Sequence, residues 1–571
     1  MTRKQPLLVV LVIAVLVPAA LAAAPVLQAS SPSDPGWFSV VPPLAAIAIA
    51  LITRNVVPAL FIGVWLGAWG VLGLGPVDLL TAVPYAFEGY VLGGLTSEDD
   101  GAGRLSIVLF SLMIGGMVGI IMRNGGMQGI VDRVAGWTRT PRGGQVTTSL
   151  LGLGIFFDDY ANSLVVGNTM RPVTDRLRVS REKLAYLVDS TAAPVACLLF
   201  VTTWIGMEVG LIEAGLGAVK EAGLVEAEAG EASAYGMFLR SIPYSFYPIL
   251  AMFFVLLVAW SGRDFGPMFA AERRARTTGE TLRPGSNVDE AAGKKGIRPV
   301  EGKPYRVFNA VLPIAVMLIT VLARMAFTGI EGVDADGKAR TLTNIVGASD
   351  SYTALMWGAL LGVLTAALLS IVQRILSLEE TVNAWYEGLK GMFFAMIVLV
   401  LAWALSEATK ALGTAEFLNG LLSDTIPLAV LPAMVFLLAA AIAFATGTSW
   451  GTMGILMPLA FPLTWAVLGG EGVLDPSTHP VMLSVVSCVL AGAVWGDHCS
   501  PISDTTVLSS MVSGCDHMDH VRTQLPYALL VGGVGLAVGT VPTALGVPAW
   551  LCLPVGAAAL AGVLFAIGRK A

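Results

Sequence analysis

From residue 39 to residue 567 the chain repeats one pattern: an apolar run of roughly 20 residues, a short polar turn, and another apolar run. A run of that length crosses the ~30 Å hydrocarbon core of a bilayer as a helix, which satisfies its backbone groups without water. The runs fall at about 39–53, 55–74, 104–122, 145–157, 184–207, 239–260, 307–327, 352–372, 389–406, 428–445, 453–468, 481–495, 525–545 and 547–567. With 55% apolar and 13% charged residues and a mean hydropathy of +0.76, the chain reads as an all-α polytopic membrane protein. The expected architecture has about 12 transmembrane helices, plus the re-entrant segments argued below. The net charge of −6 is spread over loops without a basic face, which gives nucleic acid nothing to bind. The cysteines, Cys197, Cys488, Cys499, Cys515 and Cys552, lie in or beside apolar runs without CxxC spacing and read as packing residues.

Charge asymmetry orients the spans. The loop Gly262–Arg306 carries ten Lys/Arg, Lys294 and Lys295 among them, and is expected in the cytoplasm. Met207–Gly236, with six Glu and one Lys, and the acid-weighted Thr328–Asp350 are expected outside. At the N-terminus, Arg3 and Lys4 precede the apolar stretch Leu7–Ala24, which is either a signal peptide within residues 1–29 or a first span. Two basic clusters, Arg123/Arg133/Arg139/Arg142 and Arg171/Arg176/Arg178/Arg181/Lys183, flank the single segment that holds FFDDYANS. If both are cytoplasmic, Gln145–Met170 enters and returns as a re-entrant hairpin tipped by Asp158, Asp159 and Asn162.

The polar run GDHCSPISDTT, Gly496 to Thr506, lies between apolar stretches, and ionisable residues at membrane depth cost roughly 2.5–3.5 kcal/mol each on insertion. Gly496 and Pro501 are expected to interrupt the helix there, exposing backbone beside Asp497, Asp504 and the hydroxyls of Ser500, Ser503 and Thr505. The order of motifs repeats. GGMVGIIMRNGGM, FFDDYANSL and DSTAAPVA in the first half correspond to LSEATKALGTAEF, FATGTSWGTMGILMP and GDHCSPISDTT in the second. Residues 408–424 fall outside and their counterpart 123–143 inside, so the units are inverted. The expected division is N-terminal spans to 103, a first repeat 104–261, the basic loop 262–306, linking spans 307–388, a second inverted repeat 389–524 and a C-terminal helical hairpin 525–571.

The blocks FFDDYANSL, FATGTSWGT and GDHCSPISDTT resemble the NhaC family of sodium/proton antiporters, over roughly Arg104–Phe200 and Leu389–Ser513. The resemblance implies a multi-pass carrier in the cytoplasmic membrane that exchanges external protons for internal sodium, with broken helices meeting at mid-membrane. Relatives described as organic-acid or amino-acid carriers keep a coupled organic solute as the second reading. No cofactor beyond the transported Na+ and H+ is expected; the partners are those ions and the bilayer, with a homodimer left open.

The exchange chemistry needs oxygen ligands for a hard cation and a carboxylate that holds either the cation or a proton. Asp158 and Asp159 are the first candidates, the alternative being that Asp159 caps the helix beginning near Tyr160. Asp189, before Pro194, has Ser190 and Thr191 beside it, and Asp497 occupies its position in the repeat. Asp504 is either a ligand or the cap of a helix 505–512. Glu407 is either a proton carrier or a residue emerging at the outer surface. Thr448 and Ser449 offer hydroxyls, or serve only close helix packing. Of the four histidines His498 alone is expected at membrane depth, tuning pH response or donating to Asp497. An intramembrane enzyme built on His498 and Cys499 lacks the spacing such chemistry needs.

Overall fold

The computed structural model describes residues 36–571 apart from 54, 97–100, 136–137, 157, 225–232, 287–296, 336–339, 341–344, 346–347, 415–416 and 418–426. Arg3, Lys4, the stretch Leu7–Ala24, Lys294 and Lys295 lie outside the described residues. The helices that build the interior are, in chain order, α1 (Gly101–Arg123), α2 (Pro141–Gly154), α3 (Asp159–Arg176), α4 (Arg181–Asp189), α5 (Ile205–Glu221), α6 (Gly266–Thr278), α7 (Leu378–Ala411), α8 (Leu431–Thr446), α9 (Ser449–Gly470), α10 (Pro480–Cys499), α11 (Asp504–Ser513) and α12 (His517–Val534). Among the described residues eight helices are long and apolar enough to cross a bilayer, nine if the pair Ala234–Tyr244 and Phe246–Ser261, bent by 51°, is one span. Trp37–Ala50, Val56–Leu72 and Leu431–Thr446 are shorter apolar helices. The β structure among the described residues is a two-residue antiparallel ladder, Arg263–Asp264 with Arg569–Lys570.

Burial sorts the helices into centre and rim. The apolar windows of α10 and α9 are 89% and 78% buried, those of Phe308–Ala335 and Ala549–Ile567 only 33% and 22%. The rim helices turn Ile319, Phe327, Trp550 and Val555 outward, a surface that suits lipid. At the centre, small residues let backbones touch: a Cβ at Gly388 of α7 would fall 2.2 Å from the Gly115 carbonyl oxygen of α1. Gly496 serves the same purpose, with the Ala440 carbonyl oxygen of α8 only 2.1 Å from where its Cβ would stand. The helix therefore does not break at Gly496. It continues to Cys499, and the interruption is Ser500–Ser503, around Pro501.

The hairpin geometry follows from two sets of contacts. Asn162 Nδ2 donates to the Gly152 carbonyl at 2.7 Å, so α3 folds back along α2. Both flanking basic clusters meet one loop: Arg142 packs on Gly262, Val300 N donates to Arg123 O at 3.1 Å, Arg181 N donates to Thr281 O at 3.0 Å, and Arg274 bonds both oxygens of Glu182. The α2–α3 unit thus enters and leaves on the side of the basic loop. The α8–α9 unit comes from the other side, where Trp465 Nε1 donates to Leu224 O at 3.1 Å. Their tips have the same backbone: Asp158 (φ −155°, ψ 126°) and Thr448 (φ −149°, ψ 124°) each cap the following helix with a side-chain oxygen.

Candidate functional site

Four interruptions converge inside the bundle: residues 155–156 and 158 before α3; 190–204 between α4 and α5, relieved by the single turn Ala193–Ala196; Gly447–Thr448; and Ser500–Ser503. Proline and glycine make them possible, because Pro194 opens the short turn and Gly447 takes φ +70°. The tips touch. A Cβ on Gly447 would fall 2.5 Å from the Ile502 carbonyl oxygen, Ser500 Oγ donates to Phe444 O at 2.7 Å, and Asn162 Nδ2 donates also to Thr191 O at 2.6 Å. Trp204 and Trp450 meet edge to face at 5.5 Å, setting the start of α9 beside the end of the second interruption.

Into this junction the sequence delivers five aspartates. Asp158, Asp159, Asp189 and Asp497 are each at most 4% exposed, while Asp504 has an exposed edge and accepts a short hydrogen bond from the Tyr160 hydroxyl. Asp189 is held by Ser509 on Oδ1 (3.2 Å) and by Thr506 (3.1 Å) and Gln524 (2.6 Å) on Oδ2. Asp497 Oδ2 accepts from Thr505 at 3.0 Å, whereas its Oδ1 has no partner among the described residues. The same holds for Asp159 Oδ2, Asn162 Oδ1 and Ser163 Oγ. A concentration of buried acceptors without donors is what a cation or proton site offers. A cavity of about 860 Å³ reaches the junction: Asp158, Tyr160 and Ala161 line its inner part, and Arg123, Arg298 and Glu380 its exposed mouth on the side of the basic loop.

The structure revises several sequence readings. Asp158, not Asp159, caps α3, taking the Ala161 N–H at 2.7 Å; Asp159 is the first helical residue and points elsewhere. Ser503, not Asp504, caps α11. His498 does not donate to Asp497, because both sit on one intact helix and leave it about 100° apart. Its Nδ1 instead lies 2.6 Å from the Tyr247 hydroxyl, and its Nε2 3.2 Å from Ser190 Oγ and 3.6 Å from Asp189 Oδ2. His498 is not alone inside: His520 is fully buried on α12, with Nε2 2.8 Å from Gln524 Oε1 and 3.9 Å from Asp189. Neither His520 nor Gln524 was expected at the site. The signal was the spacing of HMDHVRTQL, which puts His520 and Gln524 one turn apart. Glu407 does not join the cluster; it pairs with Arg104 at 2.6 Å and Lys410 at 3.4 Å, and Lys410 also pairs with Glu221. Thr448 serves as a helix cap, with Ser449 the first residue of α9.

A family model described as the Na+/H+ antiporter family matches residues 195–543. The chain belongs to that family. It is therefore a multi-pass membrane transporter and not an enzyme. An uncharacterised protein of Haemophilus influenzae is 35% identical over 494 residues, 86% of this chain and 88% of that protein. The arginine/ornithine antiporter ArcD of Halobacterium salinarum is 33% identical over 155 residues, 27% of this chain and 29% of that one. Among solved structures, the YdaH transporter of Alcanivorax borkumensis, whose structure is described as having an unusual topology, superposes with a TM-score of 0.52 at 13% identity, covering 83% of this chain and 91% of that one. That likeness concerns the fold.

Proposed function

We propose that the protein exchanges protons for a monovalent cation, Na+ first, across the cytoplasmic membrane, at the junction of the four interruptions. One observation supports this most: four buried aspartates and a fifth at their edge face one another with several acceptor oxygens unpartnered. Four like charges in a low-dielectric space, with a fifth at their edge, repel strongly, and bound protons or bound cations relieve them, so loading one kind of ion favours release of the other. Asp158, Asp159, Asn162, Asp497 and Asp504 supply oxygens to the cation; Ser500, Ser503, Thr505, Ser190 and Thr191 complete or orient the set. Asp189 accepts hydrogen bonds from Gln524, Thr506 and Ser509 and has His498 and His520 beside it. The cavity gives this site access to the cytoplasm, while the Arg104–Glu407–Lys410–Glu221 network closes the outer side.

Transport in proteoliposomes with a panel of monovalent cations, following lumenal pH, tests the reading. Wild type is expected to move protons on addition of one cation, and Asp189→Asn and Asp497→Asn each to lose that movement while inserting normally. Undiminished exchange in both variants would refute it. The cavity volume and the paired arginines at its mouth favour one second reading, a coupled organic solute of the kind the Halobacterium relative's name indicates. Amino acids and small carboxylates in the same panel decide between the two.

A further inference from the structure

Glu208 sits one turn into α5, in a stretch whose six glutamates read as an outer acidic loop. In the structure it is 0% exposed, and neither carboxyl oxygen has a hydrogen-bond partner among the described residues. Its near neighbours are not counter-charges. The titratable group beside it is the Cys197 thiol, just after the turn Ala193–Ala196 in the interruption that leads into α5. Among the charged groups on the helices packed against α5, Arg104 of α1 pairs with Glu407 of α7, which Lys410 also contacts, and Arg240 lies half-buried on the neighbouring helix Ala234–Ser241. α9, which packs along the same helix through Phe461 on Gly215, carries no charged residue.

The surroundings are not random. Between Glu208 and the aspartates lie Thr203 and Trp204, both 0% exposed, whose hydroxyl and indole N–H are also without partners. They approach Asp158 and Asp159 without reaching hydrogen-bond geometry. Further along α5, Glu213 accepts from Tyr352 at 3.0 Å and Glu221 pairs with Lys410. Glu208 is thus the innermost of three glutamates on one helix, between the closed outer face and the aspartates, opposite the side from which the cavity enters.

We infer that Glu208 is a second proton-holding residue, which takes its proton from the outer side and is separate from the aspartate cluster. An ionised carboxylate in this setting would be a buried charge without compensation, costing far more than a helix junction tolerates. A cation would answer the charge, but a hard monovalent ion needs several oxygen ligands, and the titratable side chain beside Glu208 is the Cys197 thiol, a poor ligand for such an ion, with the Thr203 hydroxyl five residues before it. A proton needs only the carboxyl itself. When the outer network opens, Glu208 gives up and regains that proton: the O–H bond at its carboxyl breaks, the proton goes to water on that side, and the reverse step restores it.

The inference rests on the antiport reading, so its test has one arm that does not need transport. Infrared spectra of the purified protein should contain the carbonyl stretch of a protonated carboxyl that Glu208→Gln lacks, and that wild type loses as pH is raised. In proteoliposomes, E208Q should reduce cation-driven proton movement about tenfold or more, and Glu208→Asp, which keeps the carboxyl, should recover much of it. E208Q is nearly isosteric and removes a costly ionisable group, so its melting temperature should not fall. Proton movement at the wild-type rate and pH profile in E208Q, or no protonated-carboxyl band assignable to Glu208, overturns the inference. Wild type moving no protons with any cation overturns the antiport reading instead, and the infrared arm still decides whether Glu208 holds a proton.

Discussion

Lys183 is the strongest place to test how the junction is held. It lies six residues before Asp189 on α4, with its ammonium 0% exposed and 2.5 Å from Asp264 Oδ1. Tyr527 of α12 also donates to that oxygen, at 2.6 Å, and the ammonium stands 5.6 and 5.7 Å from the Tyr186 and Tyr527 ring centres. Lys183→Met keeps the aliphatic volume but leaves Asp264 buried without its counter-charge, which typically costs about 3–5 kcal/mol. The Tyr527 bond is present with or without Lys183 and cancels in the difference, while the two lost ring contacts add about 1 kcal/mol, so the net expectation lies in the upper part of that range. Lys183→Met with Asp264→Asn removes both charges and should recover most of the loss. The five buried free cysteines provide the assay, since a thiol-reactive fluorophore reports their exposure as the protein is heated in detergent. The single variant should melt well below wild type and the double variant close to it. A single variant as stable as wild type, or a double variant no better than the single, would show that the pair does not anchor α4.

Two further outcomes follow from charged contacts away from the junction. Arg104→Gln breaks a 2.6 Å pair whose side chains are 6% and 21% exposed, and should loosen the outer face. Losing about 1–2 kcal/mol of pairing corresponds to roughly 5–30-fold more labelling, by an impermeant thiol reagent added outside, of a cysteine placed at Ser111 in a cysteine-free background. Glu272 of α6 is pushed above the ordinary glutamate value of 4.5, first by burial and then by Asp264, against the pull of Lys183 and Arg276. A raised acid contributes stability below 4.5 that is lost as pH rises through its folded value, so the melting temperature of wild type relative to Glu272→Gln should fall across that interval. A difference constant with pH would contradict the assignment.

The sequence made the interruptions legible because their causes are local. Asp, Gly and Pro in otherwise apolar runs mark where a helix cannot continue cheaply, and each of the four junction segments carries one of them: Asp158, Pro194, Gly447 and Pro501. What remained hidden depends on contacts distant in the chain. Gly496 looks like a breaker until Ala440 is seen against it. His520 and Gln524 carry no mark of the site, because a buried polar face on α12 cannot be told from a solvated one without its partner Asp189. Glu208 was lost in an average: a segment with six glutamates reads as acidic and outer, although its first glutamate lies inside.

The matched caps at Asp158 and Thr448 have a consequence for engineering. Both hairpin tips hold the same extended backbone with a side-chain oxygen on the following helix's third N–H, so that position accepts an aspartate or a threonine with little change in shape. The number of charges at the junction is therefore separable from its architecture. Exchanging the two residues, Asp158→Thr with Thr448→Asp, would move one negative charge from the tip on the side of the basic loop to the tip that comes from the other side while leaving the count unchanged. A carrier built this way offers a direct means of asking which half of the molecule must bear the charge for the cycle to run in a given direction.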